Sequence, residues 1–149
     1  MSILDQPDLW VSIDPRSMKS LLDSFQEQVQ SAAQAGRSVS LPVSKGTKVI
    51  VVTGLGGSAM GGDLMRSIAE SQLRYPVVVN RHYDLPAFVD ESTLVFACSY
   101  SGNTEETLSA YEQARRAKAS IVCITSGGKL ETMATANAHP LLRLPGGLP

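Results

Sequence analysis

Two short stretches of this chain carry residue types that can do chemistry. The first is "GLGGSAMGGDL" at 54–64, with five glycines in nine positions: Gly54, Gly56, Gly57, Gly61 and Gly62. It follows an apolar run and leads into an apparent helix, so bare backbone sits at a helix mouth with one hydroxyl, Ser58, beside it. The second is "CSYSGNTEET" at 98–107, where Ser99, Ser101 and Thr104 surround a glycine at the start of another helix. Amides at a helix N-terminus point outward at the positive end of the helix dipole and bind anions. Two such ends, furnished with hydroxyls, can converge on one phosphate without any Lys or Arg.

The glycine loop alone admits three readings. Gly54-Leu55-Gly56-Gly57-Ser58-Ala59 satisfies the dinucleotide pattern G-x-G-x-x-G/A, which is weak by itself. Its confirmation, an acidic residue ending the second strand, is replaced here by Asn80-Arg81-His82. Arg81 can still meet a 2′-phosphate, which keeps NADP among the alternatives. A P-loop is excluded, because no G-K-[ST] follows the first glycines. The second reading is a single phosphate held by the Gly56 and Gly57 backbone and Ser58. The third is a tight strand-to-helix turn in which Gly61 and Gly62 permit close packing. The second stretch likewise reads as capping alone, with Asn103 as N-cap and Glu106 reaching back in a capping box.

The elements that must position these stretches follow from hydrophobic periodicity. Apolar, β-branched runs lie at 49–53, 76–80, 93–98, 120–125 and, more weakly, 140–144. Helical patterns fall between them near 58–72, 104–118 and 129–136. Continuous apolar strands alternating with helices predict a parallel sheet covered on both faces. The expected fold is a three-layer α/β/α sandwich with a five-stranded parallel sheet, preceded by an N-terminal helix over 14–36. Asp14 caps that helix, Pro15 opens it, and Met18, Leu21, Leu22, Phe25, Val29 and Ala33 mark its apolar face. Residues 1–46 form the helix and its connection, packed on the domain, and 47–149 form the domain itself. Ligands of such sheets sit beyond the carboxyl ends of the strands. That rule selects the loops 54–58, 81–86, 99–104 and, after the next strand, "TSGGK" at 125–129.

The totals restrict the function classes. The 149 residues suit one compact domain, and a net charge of −1 supplies no electrostatic footprint for nucleic acid or an anionic membrane. No apolar run reaches the length of a membrane span, and no basic, apolar signal segment opens the chain. The two cysteines, Cys98 and Cys123, end apolar runs without CxxC or metal-ligand spacing, so a reducing, cytoplasmic setting is expected.

"SYSGNTEET" resembles the signature of the SIS (sugar isomerase) domain, whose fold is flavodoxin-like, and "GLGGSAMGGDL" resembles its other phosphate-binding segment. Together with Tyr83-Asp84-Leu85-Pro86 and the closing "LPGGLP", they resemble the bifunctional phosphoglucose/phosphomannose isomerase family from about residue 12 onward. The resemblance implies that Ser58, Ser99, Ser101 and Thr104 bind a sugar phosphate, helped by the backbone of Gly56 and Gly57. It implies interconversion of glucose 6-phosphate or mannose 6-phosphate with fructose 6-phosphate. The ring opens, and a carboxylate then moves a proton between C2 and C1 through an enediol. Neither a metal nor a redox cofactor is expected, and a homodimer is.

Members of that family are about twice as long and hold two SIS domains. Their catalytic glutamate, ring-opening histidine and lysine belong to the second half, beyond Pro149, and a Pro-Arg continuation is expected directly after it. The chain is therefore expected to be an N-terminal half with no catalytic residue of its own and no activity alone. A stand-alone sugar-phosphate sensor and an NADP-binding domain remain as alternatives. Among the remaining polar residues, His82 and Asp84 lie in a ligand-side loop, and Asp84 can also serve its turn. Glu105, Glu106 and Asp63 suit helix N-termini, Arg66 a solvated helix face, and His139 the opposite end of the sheet. Trp10 is either a packing anchor or a partner contact.

Overall fold

A computed structural model describes residues 5–44 and 46–147. The chain divides between Ser38 and Val39 into two compact units. The first holds α1 (Pro7–Ile13), α2 (Met18–Asp23) and α3 (Phe25–Ser38). The second runs β1 (Val49–Thr53), α4 (Gly57–Ala69), β2 (Val77–Asn80), β3 (Thr93–Cys98), α5 (Glu105–Arg116), β4 (Ser120–Thr125), α6 (Gly128–Ala136) and β5 (Leu141–Arg143).

The single N-terminal helix expected over 14–36 is instead two helices, with a further one before it. Asp14 does act as a cap, but at a distance: its carboxylate accepts from the Met18 and Lys19 amides, both at 2.8 Å. Those two bonds hold its carboxyl below the ordinary aspartate value. Pro15 therefore lies in the turn ahead of α2, and Ser17 takes a left-handed conformation (φ 53°) as the N-cap. The second break falls at Ser24, where side chains compete for the backbone. The Leu21 carbonyl accepts from Ser24 Oγ at 3.0 Å and Gln28 Nε2 at 2.8 Å. Neither α2 nor α3 has a buried residue, and Met18, Leu22, Phe25 and Val29 are exposed. In the same unit the Lys19 ammonium stands 5.9 Å from the centre of the Trp10 ring.

The second unit is the predicted α/β sandwich. All strand pairs are parallel, in the order β2-β1-β3-β4-β5. One sheet face presents Val51, Val95, Ala97, Ile121 and Cys123 to Tyr111 and Ala114 of α5 and Leu130 and Ala134 of α6. The other presents Ile50, Val52, Leu94 and Val122, with Met65 of α4 packed against them. Burial on both faces is why these strands read as unbroken apolar runs. It also pushes both thiols, Cys98 and Cys123, up to about 12, so neither is a thiolate at neutral pH. At the N-terminal edge of the sheet, the buried Tyr111 hydroxyl bonds the Met133 carbonyl (3.0 Å) and His139 Nδ1 (2.9 Å). Burial, then Arg115, depresses the imidazole's proton affinity there.

The two glycines assigned to packing separate. A Cβ on Gly62 would stand 2.9 Å from Val52 Cγ1 and 3.2 Å from Val79 Cγ2, so this glycine lets α4 lie on the sheet. Gly61 faces open space, because the helix turns it outward. Opposite signs follow. Gly62→Ala is expected to cost about 1–3 kcal/mol through overpacking. Gly61→Ala is expected to add about 0.5–1 kcal/mol by restricting the unfolded chain. Urea unfolding of the two variants measures both.

Candidate functional site

The strand order reverses direction between β1 and β3: the chain moves outward from β1 to β2, then returns to the other side of β1. At such a switch point the two following loops turn to opposite faces and leave a crevice. The loops concerned are 54–56 after β1 and 99–104 after β3, the two stretches singled out by their chemistry.

Each glycine of the first loop has its own task. A Cβ on Gly54 would sit 2.9 Å from the Cys98 carbonyl oxygen and 3.2 Å from the Ser58 carbonyl carbon, so its absence lets the loops approach. Gly56 is the N-cap of α4 with φ 54° and ψ −129°, a conformation that disfavours any side chain. Gly57, the first helical residue, is exposed and faces open space. No side chain caps α4, and none caps α5.

The hydroxyls do not play one part. Ser58 Oγ accepts from the Tyr100 amide at 3.3 Å and joins the two loops directly. Ser99 is 1% exposed; its Oγ accepts from the Gly102 amide at 3.1 Å and shares a hydrogen bond with Thr104 Oγ1 at 2.9 Å. Ser101 is exposed, with Oγ accepting from the Asn103 amide at 3.2 Å. Thr104 is half-buried and is the N-cap of α5, in place of the expected Asn103. Gly56, Ser99, Ser101 and Thr104 thus lie on the two loops that meet at the switch point, and Gly57 and Ser58 open α4 directly after the first.

Asn103 is withdrawn from capping by a tertiary contact that sequence reasoning missed. Its Oδ1 accepts from the Lys129 amide at 3.1 Å, and the Gly102 carbonyl accepts from Leu130 at 2.9 Å. The N-terminus of α6 is therefore filled by the 99–104 loop, which removes the "TSGGK" loop from the candidate sites. Its role is support. The Tyr100 carbonyl accepts from the Ser126 amide (3.0 Å) and Ser126 Oγ (2.6 Å), clamping one loop on the other. The signal was present in Gly102, Gly127 and Gly128, glycines at facing positions of adjacent strand ends.

The charged neighbours are also engaged. The Arg81 guanidinium pairs with the Asp63 carboxylate, which Arg66 approaches at 3.7 Å. Arg81, the residue that kept a 2′-phosphate in play, already has an anionic partner, and Asp63 is more than a helix-end charge. Asn80, where a dinucleotide site would need a carboxylate, is buried and donates to Thr53 Oγ1 and the His82 carbonyl. Glu105 accepts from the Tyr83 hydroxyl at 3.3 Å. The carboxylates of Glu106 and Glu105 raise the proton affinity of that phenol, so it remains a donor. Among the described residues, no cluster of His, Cys, Asp and Glu is arranged to hold a metal ion, and no helix is long and apolar enough to cross a membrane. The two loops thus present two helix N-termini with the Ser58, Ser101 and Thr104 hydroxyls beside them.

Known proteins resemble this chain in sequence and in fold. A bifunctional phosphoglucose/phosphomannose isomerase of Caldicellulosiruptor bescii is 49% identical over 123 residues, covering 82% of this chain and 36% of its own length. The chain spans about a third of the length of the curated relatives it matches. The Vibrio vulnificus NanR protein complexed with ManNAc-6P superposes with a TM-score of 0.62 at 18% identity, over 91% of this chain and 54% of that one. Tagatose-6-phosphate ketose/aldose isomerase from Escherichia coli gives 0.58 at 22% identity, over 94% and 38%. At these identities the two structures speak for the fold alone. The family model of the SIS domain matches residues 45–141, nearly the whole second unit. The doubly wound sheet with paired glycine- and hydroxyl-bearing loops at its switch point is thus accounted for: the chain belongs to the SIS domain family.

Proposed function

We propose that this chain is the sugar-phosphate-binding part of an aldose–ketose isomerase that interconverts glucose 6-phosphate or mannose 6-phosphate with fructose 6-phosphate. The reading is carried by the relatives at 43–49% identity that bear the bifunctional phosphoglucose/phosphomannose isomerase name. The crevice chemistry supports it. A phosphate dianion at the N-termini of α4 and α5 meets outward amides, two favourable helix dipoles and the hydroxyls of Ser58, Ser101 and Thr104. Ser99 acts in this reading by holding Gly102 and Thr104 in place, while Gly56 and Gly57 present backbone.

Binding the phosphate anchors the substrate at one end, so the reacting C1 and C2 carbons are presented at a set distance. The proton transfer itself needs a carboxylate poised over those carbons. In this reading a glutamate, a histidine and a lysine outside these 149 residues supply the acid and base, and the working protein is a cytoplasmic homodimer. No metal or redox cofactor is part of the reaction as proposed.

Calorimetric titration of the chain with fructose 6-phosphate, inorganic phosphate and NADP tests the proposal. Fructose 6-phosphate is expected to bind with a Kd of the order of 1 mM, about 4 kcal/mol, since only one wall of a full site is present. Tight NADP binding with indifference to the sugar phosphate would overturn it.

A further inference from the structure

The loop 81–86 after β2 stands on the same edge of the sheet as the phosphate crevice, yet nothing above gives it a task. It is held at four points. The Asn80 side-chain amide donates to the His82 carbonyl at 2.9 Å. Arg81 pairs with Asp63 of α4. The Tyr83 hydroxyl reaches Glu105, the residue after Thr104. The fourth hold is Gln113 of α5, whose Nε2 donates to the Tyr83 carbonyl at 2.8 Å while its Oε1 accepts from the Leu85 amide at 3.0 Å. A carbonyl and an amide side by side admit one orientation of the glutamine, and both ends of its amide are used. Nε2 also lies 3.1 Å from Ser109 Oγ, which fixes the side chain along the helix, and 3.4 Å from Asp84 Oδ1, which orients that carboxylate on the ledge. Leu85 and Val89 then bury the far side of the loop against the core.

The outcome is a rigid ledge beside the N-terminus of α5 with three exposed side chains, His82, Tyr83 and Asp84. Those groups offer donors and acceptors suited to hydroxyls. The ledge's own cation, Arg81, is paired with Asp63, and Glu105 repels a phosphate from this side. We infer that Gln113 is a positioning residue, holding the His82–Asp84 ledge as the wall that meets the carbohydrate end of the substrate. This rests on the sugar-phosphate reading above and deepens it: α4 and α5 take the phosphate, and the ledge selects what the phosphate is attached to. Fixing a backbone residue on binding costs about 1–2 kcal/mol, so a ledge fixed beforehand spares that loss when substrate arrives.

The test compares wild type with Gln113→Met, similar in length and unable to make either hydrogen bond. Fructose 6-phosphate affinity is expected to fall about tenfold and inorganic phosphate affinity to change less than about twofold. Amide exchange at Leu85 is expected to accelerate, while exchange at Gly102 stays at the wild-type rate. Equal weakening of both ligands, or an unchanged Leu85 amide, would overturn the inference. Should Gln113→Met fail to fold, Gln113→Leu takes its place: uncharged and unable to bond Tyr83 or Leu85, it is expected to weaken the sugar phosphate selectively. A wild-type chain that binds neither ligand overturns the sugar-phosphate reading itself, whatever Leu85 exchange shows.

Discussion

Replacing Gly102 by alanine is expected to destabilise the second unit by about 3 kcal/mol, lowering its melting midpoint by of the order of 10 °C. Two costs combine. Gly102 has φ 68°, where a Cβ crowds its own backbone. That Cβ would also overlap the Gly127 carbonyl oxygen, with the carbonyl carbon at 2.7 Å and Thr125 Oγ1 at 2.9 Å. The obstacle is backbone, so no side chain can rotate aside; one loop must leave the other. Gly128 faces the reverse problem, since a Cβ there would overlap the Ser101 carbonyl oxygen at φ 74°. The 99–104 and 125–128 loops therefore lie backbone against backbone. Gly57→Ala, into open space, is the control and is expected to leave the midpoint nearly unchanged. A Gly102→Ala midpoint equal to that control would mean the two loops are not in contact.

The second large effect separates two serines that look equivalent in "CSYSGN". Ser99→Ala is expected to cost about 1–2 kcal/mol, because the half-buried Thr104 hydroxyl and the buried Gly102 amide lose Ser99 Oγ as a partner. Fructose 6-phosphate binding should fall with it, since Thr104 and the Gly102 turn are no longer held. Ser101→Ala removes an exposed hydroxyl and should change stability by less than about 0.5 kcal/mol. Its expected effect is on binding, about a tenfold loss, of the size of one hydrogen bond to a charged group. Urea melts and titration of both single variants decide the matter. A Ser101→Ala protein that binds as well as wild type would remove Ser101 from the phosphate contacts.

Much of the fold was legible because burial on both faces leaves a strong mark. "VIVVT", "TLVFAC" and "SIVCIT" can hardly be anything but interior strands, and β1, β3 and β4 occupy the predicted residues. The N-terminal region was less legible, for a local reason. Asp14, Pro15, Ser24 and Gln28 are all compatible with one helix by type, and only the hydrogen bonds they chose divide it. Periodicity places Met18, Leu22, Phe25 and Val29 on helix faces and does not report what covers them. Gly61 and Gly62 are adjacent and identical, so a rotation of 100° about the helix axis alone separates packing from open space.

For the candidate site, residue types narrowed the chemistry: glycines and hydroxyls at two helix starts suit a single anion. Strand direction selected the candidate loops, since ligands of parallel sheets sit beyond the carboxyl ends of the strands. Tertiary structure decided the rest. It put β1 beside β3, so that two loops 45 residues apart share one crevice through Ser58 Oγ and the Tyr100 amide. It closed the α6 end with Asn103 and the Gly102 carbonyl, and it occupied Arg81 with Asp63. Each of these is a choice of partner across the fold. Composition and spacing hold information about what a residue can bond, and only the packed chain sets which bond it makes.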